Sequence, residues 1–340
     1  MNYKIKNYIS ILIGITLLSS TVWAQFEKKA QVGMKFLTNP VSAEVVARGT
    51  AGINATFNSN GIFWNPALTS RINSQFDVSL NYQQWIADIS YNSAAVSWNA
   101  FNFGVVTLSG TMVDYGELYE TVRSNNSQGF EETGTFSPSA YAIGIGFAQK
   151  VSDRFSYGVN IKYVNQDLGD AWIAVGDSLT DPNYKLQQIP YSKGVPAVDI
   201  GTFYDFQYKG ITFAAALSNV SREIKFQDEP VPLPFSVSFG ATVAPLEFFM
   251  ENMKDNRLIL CVESNHPRDF KEKLKFGLEY TYMDMFVVRG GYVTNVDERG
   301  LTAGVGLRKT ISDIPVRVDY GYQNAGIFGN THFFTVGFSY

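Results

Sequence analysis

One cysteine and two histidines in 340 residues rule out several chemistries before anything else is read. Cys261 has no partner for an intrachain disulfide, so the chain must be held by its hydrogen-bonded structure. A hydrolase needs a base held beside an activated serine. His266 precedes Pro267 and His332 is followed by two phenylalanines, so neither offers that pattern. Beyond residue 24 no apolar run approaches the roughly 20 residues a helix needs to cross a bilayer. Charged residues make up only 17% of the chain, with a net charge of −4, which excludes the clustered Lys and Arg of a nucleic-acid binder. Asp167, Asp170, Asp177 and Asp181 supply oxygens in one stretch but lack the fixed spacing and terminal Glu of a calcium loop. The reading is of a protein without catalytic residues, metal or cofactor.

What the chain does have is glycine (29), phenylalanine (26) and tyrosine (19), arranged with a period of two. Phe155, Tyr157, Val159, Ile161 and Tyr163 alternate with Ser156, Gly158, Asn160 and Lys162. Leu274 to Tyr282, Leu301 to Leu307 and Val316 to Tyr322 repeat the pattern, and further segments begin near Phe76, Ile89, Phe101, Ser139, Pro196, Gly210, Phe235, Arg257 and Met285. In the closing segment His332, Phe334, Val336, Phe338 and Tyr340 share one face, while Thr331, Phe333, Thr335, Gly337 and Ser339 share the other. Alternation of this kind puts apolar groups on one side of a strand and small or polar groups on the other. About fourteen such segments of roughly ten residues, with a mean hydropathy of −0.06, are how a transmembrane antiparallel β-barrel reads, because lipid-facing and lumen-facing residues cancel. An aromatic residue closing the last strand fits the same class.

The connections alternate in length. Val113 to Pro138, Asp167 to Gly194 and Asn219 to Pro234 read as long loops, whereas Val151 to Asp153, Gln207 to Gly210 and Met283-Asp284 are tight. Short turns at one end and long loops at the other are the organisation of an outer-membrane barrel. Pro245 to Asp255 departs from it and reads as a brief amphipathic helix on the short side. Inward positions carry charges of both signs, among them Asp77, Lys162, Asp199, Glu263, Lys275, Glu279, Arg289, Arg317 and Asp319, which predicts pairing across the lumen and not a ring of one sign.

Residues 1–24 carry Lys4 and Lys6, an apolar stretch from Ile9 to Leu18, and Val22-Trp23-Ala24, the form of a cleaved signal peptide. Residues 25–75 do not alternate yet contain Phe63-Trp64, which favours a plug inside the lumen over a periplasmic tail. Residues 76–340 are the barrel.

This N-terminal segment resembles the opening of the PorV/PorQ-type outer-membrane proteins, relatives of the FadL fatty-acid channels. The resemblance rests on Ser42 to Gly52 and on Phe63-Trp64-Asn65-Pro66-Ala67-Leu68. The family usually has Arg where Glu44 stands, Met where Arg48 stands and Gly where Thr50 stands. The resemblance implies a FadL-like barrel of fourteen strands in the outer membrane, with Arg48, Gly49, Gly52, Asn65, Pro66 and Ala67 as its plug motif. It further implies a role in type IX protein secretion, binding exported cargo proteins or secretion-system subunits. Phe130, Phe136, Trp172, Ile173 and Tyr191, apolar groups in polar loops, are the candidate partner-binding residues. The alternative is a FadL-like passive transporter of a hydrophobic small molecule. A hydrolase in the barrel wall is a third and remote reading.

Overall fold

In a computed structural model, residues 32–100, 103–175, 185–226, 229–249, 255–296 and 300–340 are described, with backbone alone over 171–175 and 185–186. The expected signal peptide lies outside them.

Fourteen strands run in chain order around a closed barrel. They are β1 (Phe76–Gln84), β2 (Ser90–Asn99), β3 (Val105–Asp114), β4 (Ser139–Lys150), β5 (Phe155–Val175), β6 (Lys185–Asp205) and β7 (Thr212–Ser221). The second half comprises β8 (Ser236–Val243), β9 (Asn256–Pro267), β10 (Lys273–Tyr282), β11 (Phe286–Val293), β12 (Leu301–Ile311), β13 (Ile314–Asn324) and β14 (Asn330–Ser339). Each pairs antiparallel with its sequence neighbours, and β14 closes on β1 with Val78 opposite Phe338 and Tyr82 opposite Phe334. Closure leaves no free edge along the ring, the condition for a sheet to cross lipid.

The alternation sorts the two faces as expected. On β14 Phe334, Val336 and Phe338 point outward and are exposed, while Phe333, Thr335 and Gly337 point inward and are buried. Leu108, Ile145, Ile161, Phe276, Leu278 and Val288 extend the same apolar outer face around the barrel. Inward positions are small or polar, as with Ser93, Thr107, Ala142 and Gly144, and this leaves room for more chain inside.

That room is filled by the segment from Gly33 to Ile72. It starts at the long-connection end, where Gly33 N–H donates to the Pro232 carbonyl (3.0 Å) and Met34 and Phe36 pack on Tyr91, Val164 and Leu233. It then descends as a short α-helix (Ala43–Val46) and two 3₁₀ turns (Ser59–Phe63 and Pro66–Arg71) before entering β1 at the opposite end.

The three expected long loops all contain sheet, Asn219 to Pro234 only as a short ladder of Ile224–Lys225 with Pro230–Val231. The stretch from Val113 to Pro138 contains a hairpin of Leu118–Arg123 with Phe130–Phe136. Most of Asp167 to Gly194 continues β5 and β6, whose ladder extends to Val175 opposite Lys185, well past the point where β4 leaves β5 at Asp167. The reason is physical: a ribbon beyond the bilayer needs no apolar outer face, so its alternation fades while its hydrogen bonds persist. The helix expected between β8 and β9 is present as Leu246–Phe249.

Candidate functional site

The inner segment meets the wall along two unlike seams. The first runs down β9 to β14 and β1 and is polar. Glu263 on β9 accepts the N–H groups of Gly52 (2.9 Å) and Ile53 (3.2 Å) through Oε2 and holds Lys275 Nζ at 2.6 Å through Oε1. Glu279 Oε2 accepts from Arg48 Nη1 of the segment (2.7 Å) and from Arg289 Nε of the wall (2.6 Å). Arg289 reaches on through Nη1 to Asp319, and Arg48 Nη2 donates to Thr56 Oγ1 (2.9 Å). Thr302 and Thr335 accept the backbone N–H groups of Gly49 and Ala43, each at 2.9 Å. Near the end where β1 begins, Asp77 takes both the N–H (2.7 Å) and the hydroxyl (2.6 Å) of Ser59. These charges are almost wholly buried, so each depends on its partner: an unpaired buried charge costs far more than the pair contributes.

The second seam, against β4 to β7, is apolar and tight. Ile53, Ala67 and Leu68 of the segment pack on Phe203, Ala214 and Ala216, with Trp64 beside them. Wall glycines make the close approach possible. A Cβ on Gly158 would lie 2.5 Å from the Pro66 carbonyl carbon and 2.6 Å from the Ala67 nitrogen.

The motif residues are placed by this architecture. Asn65 caps the second 3₁₀ turn: its Oδ1 accepts from Ala67 N–H (3.0 Å), and its Nδ2 donates to the carbonyls of Ile53 (2.8 Å) and Thr202 (3.0 Å). Pro66 suits the first position of that turn, where no N–H is required. Gly49 adopts φ +65°, and a Cβ there would sit 2.5 Å from the Phe276 carbonyl. Gly52 is confined by Val45 and Trp64. Arg48, Gly49 and Gly52 lie on the polar seam, and Asn65, Pro66 and Ala67 on the apolar one.

Above the segment, toward the long connections, lies a cavity of about 430 Å³. Its floor includes Ile53, Phe63, Trp64 and the Glu263–Lys275 pair, and its rim includes Pro234 and Phe328. At the rim Lys35 pairs with Asp269 (2.5 Å) and stands 4.2 Å above the Phe270 ring. The volume falls within the range of small-molecule sites, which combine apolar walls with a few fixed polar groups. No sequence signal marks this cavity, because its walls come from residues more than 200 positions apart, such as Lys35 and Asp269.

Of the residues expected to bind a partner, Phe130, Phe136 and Tyr191 have described side chains. Phe130 is exposed at the start of the second hairpin strand, whereas Phe136 at its end packs on Gly169. Tyr191 stacks on Phe226 with ring centroids 6.4 Å apart. Trp172 and Ile173 pair through their backbones with Gln188 and Gln187, and their side chains lie outside the described ones. In the acidic stretch Asp167 Oδ1 caps Gly169 N–H (2.9 Å), while Asp177 and Asp181 lie outside the described residues. Among the described residues no group of His, Cys, Asp and Glu is arranged to hold a metal. His332 Nδ1 faces the Tyr320 hydroxyl (2.8 Å).

No family model matches the chain, and no curated protein matches its sequence. Solved structures do match its fold. The Pseudomonas putida toluene transporter TodX superposes with a TM-score of 0.58 over 87% of this chain and 96% of its own, at 9% identity. The Ralstonia pickettii toluene transporter TbuX gives 0.54 over 88% and 97%, at 13% identity. A Pseudomonas aeruginosa FadL homologue gives 0.52 over 89% and 98%, at 11% identity. The chain therefore has the FadL-like barrel fold. Its closed ring and apolar outer face are those of a multi-pass protein of a Gram-negative outer membrane.

Proposed function

We propose that this barrel admits a small hydrophobic molecule from the long-connection end into the cavity above its inner segment, as a passive outer-membrane transporter. The observation that carries the reading is the cavity of about 430 Å³ floored by Ile53, Phe63 and Trp64. Similarity of fold to the toluene transporters TodX and TbuX supports it. In this reading residues 25–75 act as the plug and residues 76–340 as the wall. The charged rim suits water, and Ile53, Phe63 and Trp64 on the floor offer an apolar guest contact beside the mutually neutralised Glu263–Lys275 pair. Titration of the purified barrel with the neutral dye N-phenyl-1-naphthylamine tests it. Saturable binding is expected, weakened about ten-fold by Trp64→Ala through lost apolar contact. Non-saturable partition, indifferent to Trp64, would count against the proposal.

A second reading is a PorV/PorQ-like component of type IX secretion that binds exported proteins. Besides the sequence resemblance, one observation favours it. The β5–β6 ribbon projects past its neighbours, since β5 loses β4 at Asp167 and β6 meets β7 only from Ala197. Strand edges exposed in this way can accept a strand from another chain. Shortening the ribbon between Gly169 and Pro190 should then abolish recovery of exported proteins with the barrel, while leaving dye binding intact.

A further inference from the structure

The two seams differ in how firmly they can hold the segment, and the difference bears on where a solute would go. Along β9 to β14 and β1 the segment is tied by directional contacts to Glu263, Glu279, Thr302, Thr335 and Asp77. Separating these groups without water would strand buried charges. Along β4 to β7, below the cavity, the described polar contacts from the segment are two: Asn65 to the Thr202 carbonyl, and Arg71 to the Asp153 carbonyl in the β4–β5 turn. Apart from the attraction of Arg71 to Asp205, the contacts of Ile53, Ala67 and Leu68 with Phe203, Ala214 and Ala216 are apolar, and apolar contact is non-directional and can be exchanged for contact with an apolar guest.

The apolar seam is also continuous from one end to the other. Ile53 and Trp64 belong both to the cavity floor and to the cluster formed with Leu68, Phe203, Ala214 and Ala216. At its far end Phe203 takes the edge of Phe57 (5.4 Å between centroids) and the Arg71 guanidinium (5.0 Å). Phe57 is 41% exposed at the end where β1 begins. An apolar track thus joins the cavity to the opposite mouth, interrupted only by side chains in contact with one another.

We infer that the solute path runs along this seam, between the inner segment and β4 to β7, and that the polar seam is the fixed side about which the segment yields. The inference rests on the transporter reading and names its route. The solute class it selects is uncharged and apolar through the barrel, whatever polar group meets the charged rim. Trp64 and Leu68 are then the residues that set the width of the passage.

Dye entry separates this route from others. The full-length protein is produced in a Gram-negative host whose outer membrane excludes N-phenyl-1-naphthylamine, and the rate of entry is compared with saturable binding to the purified barrel. Leu68→Ala should raise entry and Ala216→Phe should lower it, each by about ten-fold, with binding in the cavity unchanged. If Ala216→Phe does not assemble, the gain in Leu68→Ala decides. Entry at the wild-type rate in assembled variants that still bind dye would overturn the route while leaving the cavity reading intact. A wild-type barrel that neither binds nor admits the dye would overturn both.

Discussion

Arg317 on β13 holds Asp77 on β1 through two parallel hydrogen bonds, Nη1 to Oδ2 at 2.7 Å and Nη2 to Oδ1 at 2.8 Å, across the intervening β14. Gly337 of β14 lies beneath the guanidinium, and a Cβ there would collide with it. Ser339 of β14 donates to Asp77 Oδ2 (2.7 Å), and Ser59 of the inner segment donates to Oδ1. One carboxylate therefore joins the first strand, the last two strands and the segment, where the ring closes.

Asp77→Asn removes the charge that Arg317 was buried against and should destabilise the barrel by about 3–5 kcal/mol, the usual cost of breaking a buried pair. The temperature at which the folded band disappears in unheated-versus-heated gel electrophoresis reads this. Arg317→Lys should recover only part of the stability, since an ammonium cannot make the two-pronged contact.

Glu279→Gln leaves Arg48 and Arg289 without their shared carboxylate. The segment should loosen, seen as faster proteolysis between Gly33 and Ile72, with a loss of similar size. The double substitution Glu279→Gln with Arg48→Met should be milder than the sum of the single ones, because it removes one of the stranded charges.

Gly49→Ala combines a strained positive φ with a Cβ 2.5 Å from the Phe276 carbonyl and 2.7 Å from the Tyr292 nitrogen. Reduced assembly is expected, costing at least about 1–3 kcal/mol from the backbone conformation. Gly110→Ala meets nothing within 4 Å and serves as the neutral comparison.

Leu278→Arg on the outer face should cost about 2–4 kcal/mol in folding into a bilayer if it lies near the midplane. Leu278→Phe should be close to neutral. The contrast, measured by refolding into lipid vesicles, tests whether the apolar outer face is in contact with lipid.

Strand parity was readable from residue types alone. The alternation around Tyr157, Leu278 and Phe334 placed each side chain on the face it occupies, because burial on one side forces a period of two. Inward charges were readable for the same reason. Their partners were not: Arg317 lies 240 positions from Asp77, and only barrel closure brings the two together. The ribbon from Asp167 to Gly194 was missed because its apolar residues, as in Ala171-Trp172-Ile173-Ala174-Val175, do not alternate with polar ones. The cavity was missed because it is a property of the gap between segment and wall.

The most direct test is to extract the protein from its native outer membrane in mild detergent and identify what stays bound by mass spectrometry. The account predicts a small apolar molecule at about one per barrel, displaced by N-phenyl-1-naphthylamine and reduced in Trp64→Ala. Recovery of exported proteins or secretion-system subunits, with no small molecule in the barrel, would contradict it and favour the partner-binding reading.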